Sequence, residues 1–94
     1  MTPDFLAKRL ILVEAVYAST IPTTGDPEIR RRLETPDEDL TFAALEADSL
    51  ARMEICIFIE LRTGLAVTTG DLEIHPSLNA LAEHLSLRLG GAAR

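Results

Sequence analysis

The chain has 94 residues, nine Lys+Arg against fifteen Asp+Glu for a formal net charge of -6, 47% hydrophobic residues, no Trp and a single Cys. A chain of this length makes one domain, residues 1–94, that buries roughly 60–65% of its unfolded surface, which excludes large multilayered enzyme folds. The lone cysteine excludes an internal disulfide framework and a cysteine-based zinc cluster, and the acidic balance excludes nucleic acid or anionic membrane as a partner, since both need a basic surface.

The opening Met1-Thr2-Pro3-Asp4 carries an acid where a secretory leader needs a basic region. The apolar run Leu10 to Val13 is broken by Glu14, far short of the roughly 20 residues that span a bilayer, so no stable membrane insertion and a cytoplasmic location are expected. Thr2 as N-cap, Pro3 at the first helical position and Asp4 at the positive end of the dipole open an amphipathic helix over Pro3 to Ala18. Its core stripe is read as Leu6, Leu10, Val13 and Tyr17. From Ser19 to Leu40 the prolines and glycine Pro22, Gly25, Pro27 and Pro36 break any long element and make a long loop. Inside it Asp26-Pro27-Glu28 starts one or two helical turns through Ile29 and Leu33, with Arg30, Arg31 and Arg32 on a solvated face.

A second main helix is expected from Ser49 to Thr63, stopped by Gly64, and a short one over Asp71 to His75. Ser77 caps a last helix with the stripe Leu78, Leu81, Ala82, Leu85 and Leu89; Gly90-Gly91 ends it, and the tail from Gly91 to Arg94 frays. No strand-like alternation appears. The expected fold is all-α, a small up-and-down four-helix bundle of three main helices plus one short, with a long first loop.

Chemistry concentrates in Leu45-Glu46-Ala47-Asp48-Ser49-Leu50, where the loop enters the second main helix. A serine in a helix's first turn exposes its hydroxyl beside unpaired backbone N–H groups and the positive end of the dipole, a favourable place for a phosphodiester. An isolated Asp-Ser-Leu is more often a plain helix cap, in which case Ser49→Ala loses a cap of about 0.5–2 kcal/mol. The helix that follows is apolar all round at Ile55-Cys56-Ile57-Phe58-Ile59, so more than one face must be covered. Ala51, Ile55, Phe58 and Ile59 form a core stripe. Leu50, Met53, Ile57 and Leu61, interleaved with Glu54 and Glu60, form a second, which faces either a partner or a packed loop.

The segment from Leu40 to Leu89 resembles the acyl and peptidyl carrier proteins. The resemblance rests on Asp48-Ser49-Leu50, on Phe42 and Leu45 in the loop, on Gly64-Leu65-Ala66-Val67 after the second main helix, and on Pro76-Ser77-Leu78 with Leu81-Ala82. It implies a stand-alone carrier, not an enzyme, with no catalytic or metal-binding residue. Ser49 would receive a phosphopantetheine arm from coenzyme A and hold acyl, aminoacyl or polyketide intermediates as thioesters, in a lipid, polyketide or peptide pathway. Asp48 would help the phosphopantetheinyl transferase position its metal; Leu50, Met53, Glu54, Ile57 and Glu60 would meet loading, synthase or transferase enzymes with basic patches. Ile55, Phe58, Ile59, Val67, Leu78 and Leu81 would line the acyl pocket or core, and the carrier would be a monomer.

This chain departs from the family at Glu46, which stands where a glycine is usual and makes a positive φ less expected. Glu60-Leu61-Arg62-Thr63-Gly64 lacks the acids that fatty-acid carriers crowd there, and Arg30-Arg31-Arg32 either offsets acids, marks a partner or is simply solvated. The acids Asp37, Glu38, Asp39, Glu46 and Asp48 lead up to Ser49. The alternative function is an unmodified carrier-like helical adaptor that binds a partner protein. A hydrolytic triad of Asp48, Ser49 and His75 or His84 lacks a nucleophile elbow, and Asp71, Glu73, His75 and His84 are poorly spaced for a metal. Cys56 reads as a packed hydrophobe.

Overall fold

The computed structural model describes residues 2–92, with side chains as far as Arg88. Helix α1 (Pro3–Ala18) begins where Thr2 Oγ1 accepts the Phe5 N–H at 3.1 Å, with Pro3 in the first turn, where an N–H has no intrahelical acceptor to lose. A 3-10 turn (Pro22–Gly25) leads to α2 (Pro27–Leu33), capped by Asp26, whose carboxylate accepts the Glu28 N–H at 2.9 Å. Next come α3 (Ser49–Thr63), α4 (Thr69–Ile74) and α5 (Leu78–Ala92). All the regular elements among the described residues are helical, and α1 packs against both α3 and α5.

Two helix ends differ from expectation. α4 starts at Thr69 instead of Asp71 because Thr68 and Asp71 form a reciprocal capping box, Thr68 Oγ1 accepting the Asp71 N–H at 3.2 Å and Asp71 Oδ2 accepting the Thr68 N–H at 2.9 Å. α5, which Ser77 caps through the Ala80 N–H at 3.2 Å, runs through Gly90 and Gly91 to Ala92. Glycine inside a helix costs about 1 kcal/mol but ends it only by turning left-handed, so the pair does not act as a stop. The Leu89 side chain and the fraying of Ala93 and Arg94 lie outside what is described.

The core stripe of α1 is also different. Leu6, Leu10 and Tyr17 are 40%, 60% and 39% exposed, and only Val13 of the expected four is buried. The buried face carries Arg9, Leu12, Ala15 and Val16, with Phe5 packed at its edge. Positions 5, 9, 12 and 16 have the same spacing as 6, 10, 13 and 17, and Arg9 disguises the true stripe as polar.

Arg9, 3% exposed, is satisfied entirely by polar groups of other segments. Its Nη1 donates to the Leu33 carbonyl at 2.6 Å, its Nη2 to the carbonyls of Arg32, Thr35 and Glu38 at 3.2, 3.3 and 2.9 Å, and its Nε to Asn79 Oδ1 at 2.7 Å. The segment after α2 is therefore a fixed layer. It is held to the start of α5 by the Leu78 N–H to the Leu40 carbonyl (2.9 Å), the Phe42 N–H to the Pro76 carbonyl (3.0 Å) and Asn79 Nδ2 to the Pro36 carbonyl (3.1 Å). Leu40, Phe42 and Leu45 accordingly sink into one core with Leu12, Val16, Ile55, Ile59, Leu72, Leu78, Leu81 and Leu85. Each such side chain contributes roughly 1.5–3 kcal/mol by leaving water.

Candidate functional site

The fixed layer delivers the chain to the N-terminus of α3. The Leu45 N–H donates to the Thr41 carbonyl at 3.1 Å, Glu46 to Ala43 at 3.0 Å and Ala47 to Phe42 at 3.0 Å, which closes a tight turn. Closing it puts Glu46 at φ 58°, against the expectation that replacing the usual glycine disfavours a positive φ. Hydrogen bonds and the burial of Leu45 and Ala47 on either side impose the left-handed conformation, at roughly 1–2 kcal/mol for a residue with a Cβ.

Asp48 is the N-cap of α3, its carboxylate accepting the Ala51 N–H at 2.8 Å. Ser49 is the first helical residue and is exposed. The cap is thus Asp48, and Ser49 carries no capping bond, contrary to the expected cap loss in Ser49→Ala. The N–H groups of Ser49 and Leu50 lie in the first turn, where the helix offers them no acceptor, next to the free hydroxyl. An exposed nucleophile, two open donors and the positive helix end suit a phosphate ester on Ser49 Oγ.

Along α3, Leu50, Met53 and Ile57 are 56%, 53% and 56% exposed, Leu61 is 81% exposed and Glu60 is exposed. Glu54 instead accepts from the Thr20 N–H (2.9 Å) and Oγ1 (2.8 Å), tying α3 to the segment after α1. Ile55, Ile59, Leu78 and Leu81 are fully buried and Val67 nearly so. Phe58 is half-buried at the edge of the core, with the Arg62 guanidinium 5.4 Å from its ring centre, so it packs against the core without being sealed inside it. Three surface clefts, one between α1 and α2, one between the α1 start and α5 and one beside His75 and His84, are lined by other residues.

Arg31 grips Glu28 at 2.6 Å and Glu38 at 2.5 Å, and Arg32 donates to the Asp39 carbonyl at 2.7 Å. Arg31 and Arg32 therefore offset acids. The Arg31 guanidinium holds both the Glu28 and the Glu38 carboxyl below the usual range, and less of the acidic approach to Ser49 is free than the sequence implies. Cys56 is buried, and its thiol is pushed up, first by burial and then by Asp71.

Sequence spacing failed to bring His75 and His84 together, yet their rings stack with centroids 4.1 Å apart and planes 18° from parallel. Among the described residues no group of three potential metal ligands forms there or elsewhere. Arg52, passed over in the sequence, lies one turn beyond Ser49. Its Nε donates to the Ala47 carbonyl at 3.0 Å and its guanidinium sits 5.9 Å from the centre of the buried Phe42 ring. An arginine three residues after the serine was the available signal.

The helical bundle thus presents an exposed serine hydroxyl in the first turn of a capped helix. The chain belongs to the phosphopantetheine attachment site family, whose model matches residues 28–85. Members of this family carry a covalently attached phosphopantetheine. The chain is also 34% identical over 86 residues, 92% of its length, to a p-hydroxybenzoic acid–AMP ligase, FadD22, of Mycobacterium marinum. It spans only 12% of that protein. No solved structure matches. Among the described residues no helix is long and apolar enough to cross a membrane.

Proposed function

We propose that this chain is a single-domain, monomeric cytoplasmic carrier whose Ser49 Oγ takes the phosphopantetheine of coenzyme A and presents acyl intermediates to successive enzymes. The observation that carries the reading is Ser49 itself, exposed at the open end of α3 inside the family match. Once attached, the arm supplies a thiol that holds a carboxylic acid as an activated thioester. Asp48 fixes the helix start with its carboxylate, and its charge assists the transferase. Leu50, Met53, Ile57 and Glu60 form the docking face, with apolar side chains for contact and an acid for basic partners. Charge complementarity of this kind raises association rate more than affinity, which suits a shuttle. Ile55, Phe58, Ile59, Val67, Leu78 and Leu81 form the wall against which an acyl chain packs.

Likeness to a segment of an acid–AMP ligase favours loading from an acid activated as its adenylate. The test is intact mass after incubation with coenzyme A and a broad-specificity phosphopantetheinyl transferase. A gain of one phosphopantetheinyl group that is lost in Ser49→Ala is expected; no gain where other carriers are loaded overturns the reading.

A further inference from the structure

Ser49 sits among acids, with Glu46 and Asp48 close in sequence and no Lys or Arg from Leu33 to Ala51. A phosphodiester on its oxygen adds a further negative charge to this neighbourhood. The first cation after Ser49 is Arg52, and positions i and i+3 of a helix are neighbours on one face.

Most of the other cations whose side chains are described are engaged elsewhere: Lys8 with Asp4, Arg9 with backbone carbonyls, Arg31 and Arg32 with Glu38, Arg62 with Glu14, and Arg88 with the Ala66 carbonyl. Arg52 makes no ion pair among the described residues. Asp48, the acid beside it, spends its carboxylate on the Ala51 N–H. The Nε bond to the Ala47 carbonyl and the Phe42 ring turn the Arg52 side chain back toward the start of α3, and its two terminal nitrogens make no hydrogen bond among the described residues.

We propose that Arg52 is the phosphate ligand of the arm, its terminal N–H groups binding the phosphodiester oxygens on Ser49. The proposal rests on the reading of Ser49 as the attachment serine. Arginine suits the task because it presents paired donors to a phosphate and stays charged at every relevant pH. Here the Nε anchor and the Phe42 ring also limit the freedom lost when the phosphate is bound. A lysine would supply the charge without that pre-arrangement. With the phosphate held, the arm leaves the protein in a set direction.

The test compares apo and phosphopantetheinylated full-length protein, loading verified by intact mass, for wild type, Arg52→Gln and Arg52→Lys. Attachment should raise the wild-type Tm by about 2–5 °C at low salt, with at least half of that gain lost in Arg52→Gln, part of it kept in Arg52→Lys, and most of it gone in 0.5 M NaCl (~4 Å Debye length). Equal gains in wild type and Arg52→Gln overturn the proposal while leaving Ser49 as the attachment site. Independently of any variant, the Arg52 guanidinium N–H resonances of wild type should shift and exchange more slowly once the arm is attached. Unchanged resonances overturn the proposal. Failure of wild type to load fails the carrier reading itself, and the mass measurement reports that separately.

Discussion

Glu46 is the residue whose backbone is strained for the sake of the site. Its φ of 58° costs roughly 1–2 kcal/mol relative to a glycine, against roughly 0.5–1 kcal/mol of extra chain entropy that a glycine would have to lose. Glu46→Gly should therefore stabilise the protein by about 0.5–1 kcal/mol in urea unfolding, and a loss of stability would contradict the account. Two residues on, the roles of Asp48 and Ser49 separate cleanly. Asp48→Ala should cost about 1 kcal/mol, because the Ala51 N–H loses its acceptor, whereas Ser49→Ala should stay within about 0.5 kcal/mol of wild type, because that side chain caps nothing. The same unfolding experiment reads both.

At the scale of elements, α3 must serve a core and an open face at once, and Phe58 sits on the boundary. Because the ring is half-buried beneath Arg62, Phe58→Ala should cost about 1–3 kcal/mol in denaturant, below the 3–5 kcal/mol typical of a sealed ring. α4 meets α5 through the stacked histidines. Burial and then the neighbouring His75 and Arg88 push His84 below its ordinary 6.5, with Asp71 opposing and Glu83 lining the same cleft. A histidine whose folded-state pKa is depressed binds its proton more readily unfolded, so stability is full above about pH 6.5 and falls as the pH drops through the histidine range. Asp4 and Asp71, held below the usual carboxylate range by Ser86 and Lys8 and by the Thr68 amide, also lose their contribution on acidification, but only below about pH 4. Thermal melts of His84→Gln should thus show a flatter dependence than wild type between pH 5 and 7 (~6.5 being the unperturbed histidine value) and the same loss in stronger acid.

Across the whole molecule the organising contact is Arg9, which joins α1, the irregular segment and the start of α5. Arg9→Leu removes the donors for the carbonyls of Leu33, Arg32, Thr35 and Glu38 and leaves Asn79 Oδ1 unpaired. A cost of about 3–5 kcal/mol is expected from equilibrium unfolding, since several buried or half-buried acceptors lose their partner together. The segment that carries Leu40, Phe42 and Leu45 should loosen first, seen as faster amide exchange at Phe42 and Leu78. Fast exchange confined to α4 would contradict this. Charge is distributed at the same scale: arginines of α2 quench Glu28 and Glu38, whereas the exposed Glu46 and Glu60, like Asp37, Glu73 and Glu83, form no ion pair among the described residues.

The helix spans and the serine were legible in the chain because their causes are local. Thr2, Asp26, Asp48 and Ser77 accept the N–H groups of their own helix starts, Gly64 takes the left-handed stop with φ 76°, and Asp48-Ser49-Leu50 lies within one turn. Side-chain burial was less legible, because α1 carries two stripes of identical spacing and only the position of α3 and α5 decides which is inside. The partner of Glu54 and the meeting of His75 with His84 were likewise settled by tertiary contacts, and the φ of Glu46 by the turn that closes between Thr41 and Ala47. What the sequence alone determined is an acidic bundle of helices with a capped helix start bearing Ser49. Only the tertiary structure decided that a buried arginine fixes the loop, since a hydrogen bond across about thirty or seventy residues leaves no periodicity to read (~3.6 residues being the only repeat a helix imprints).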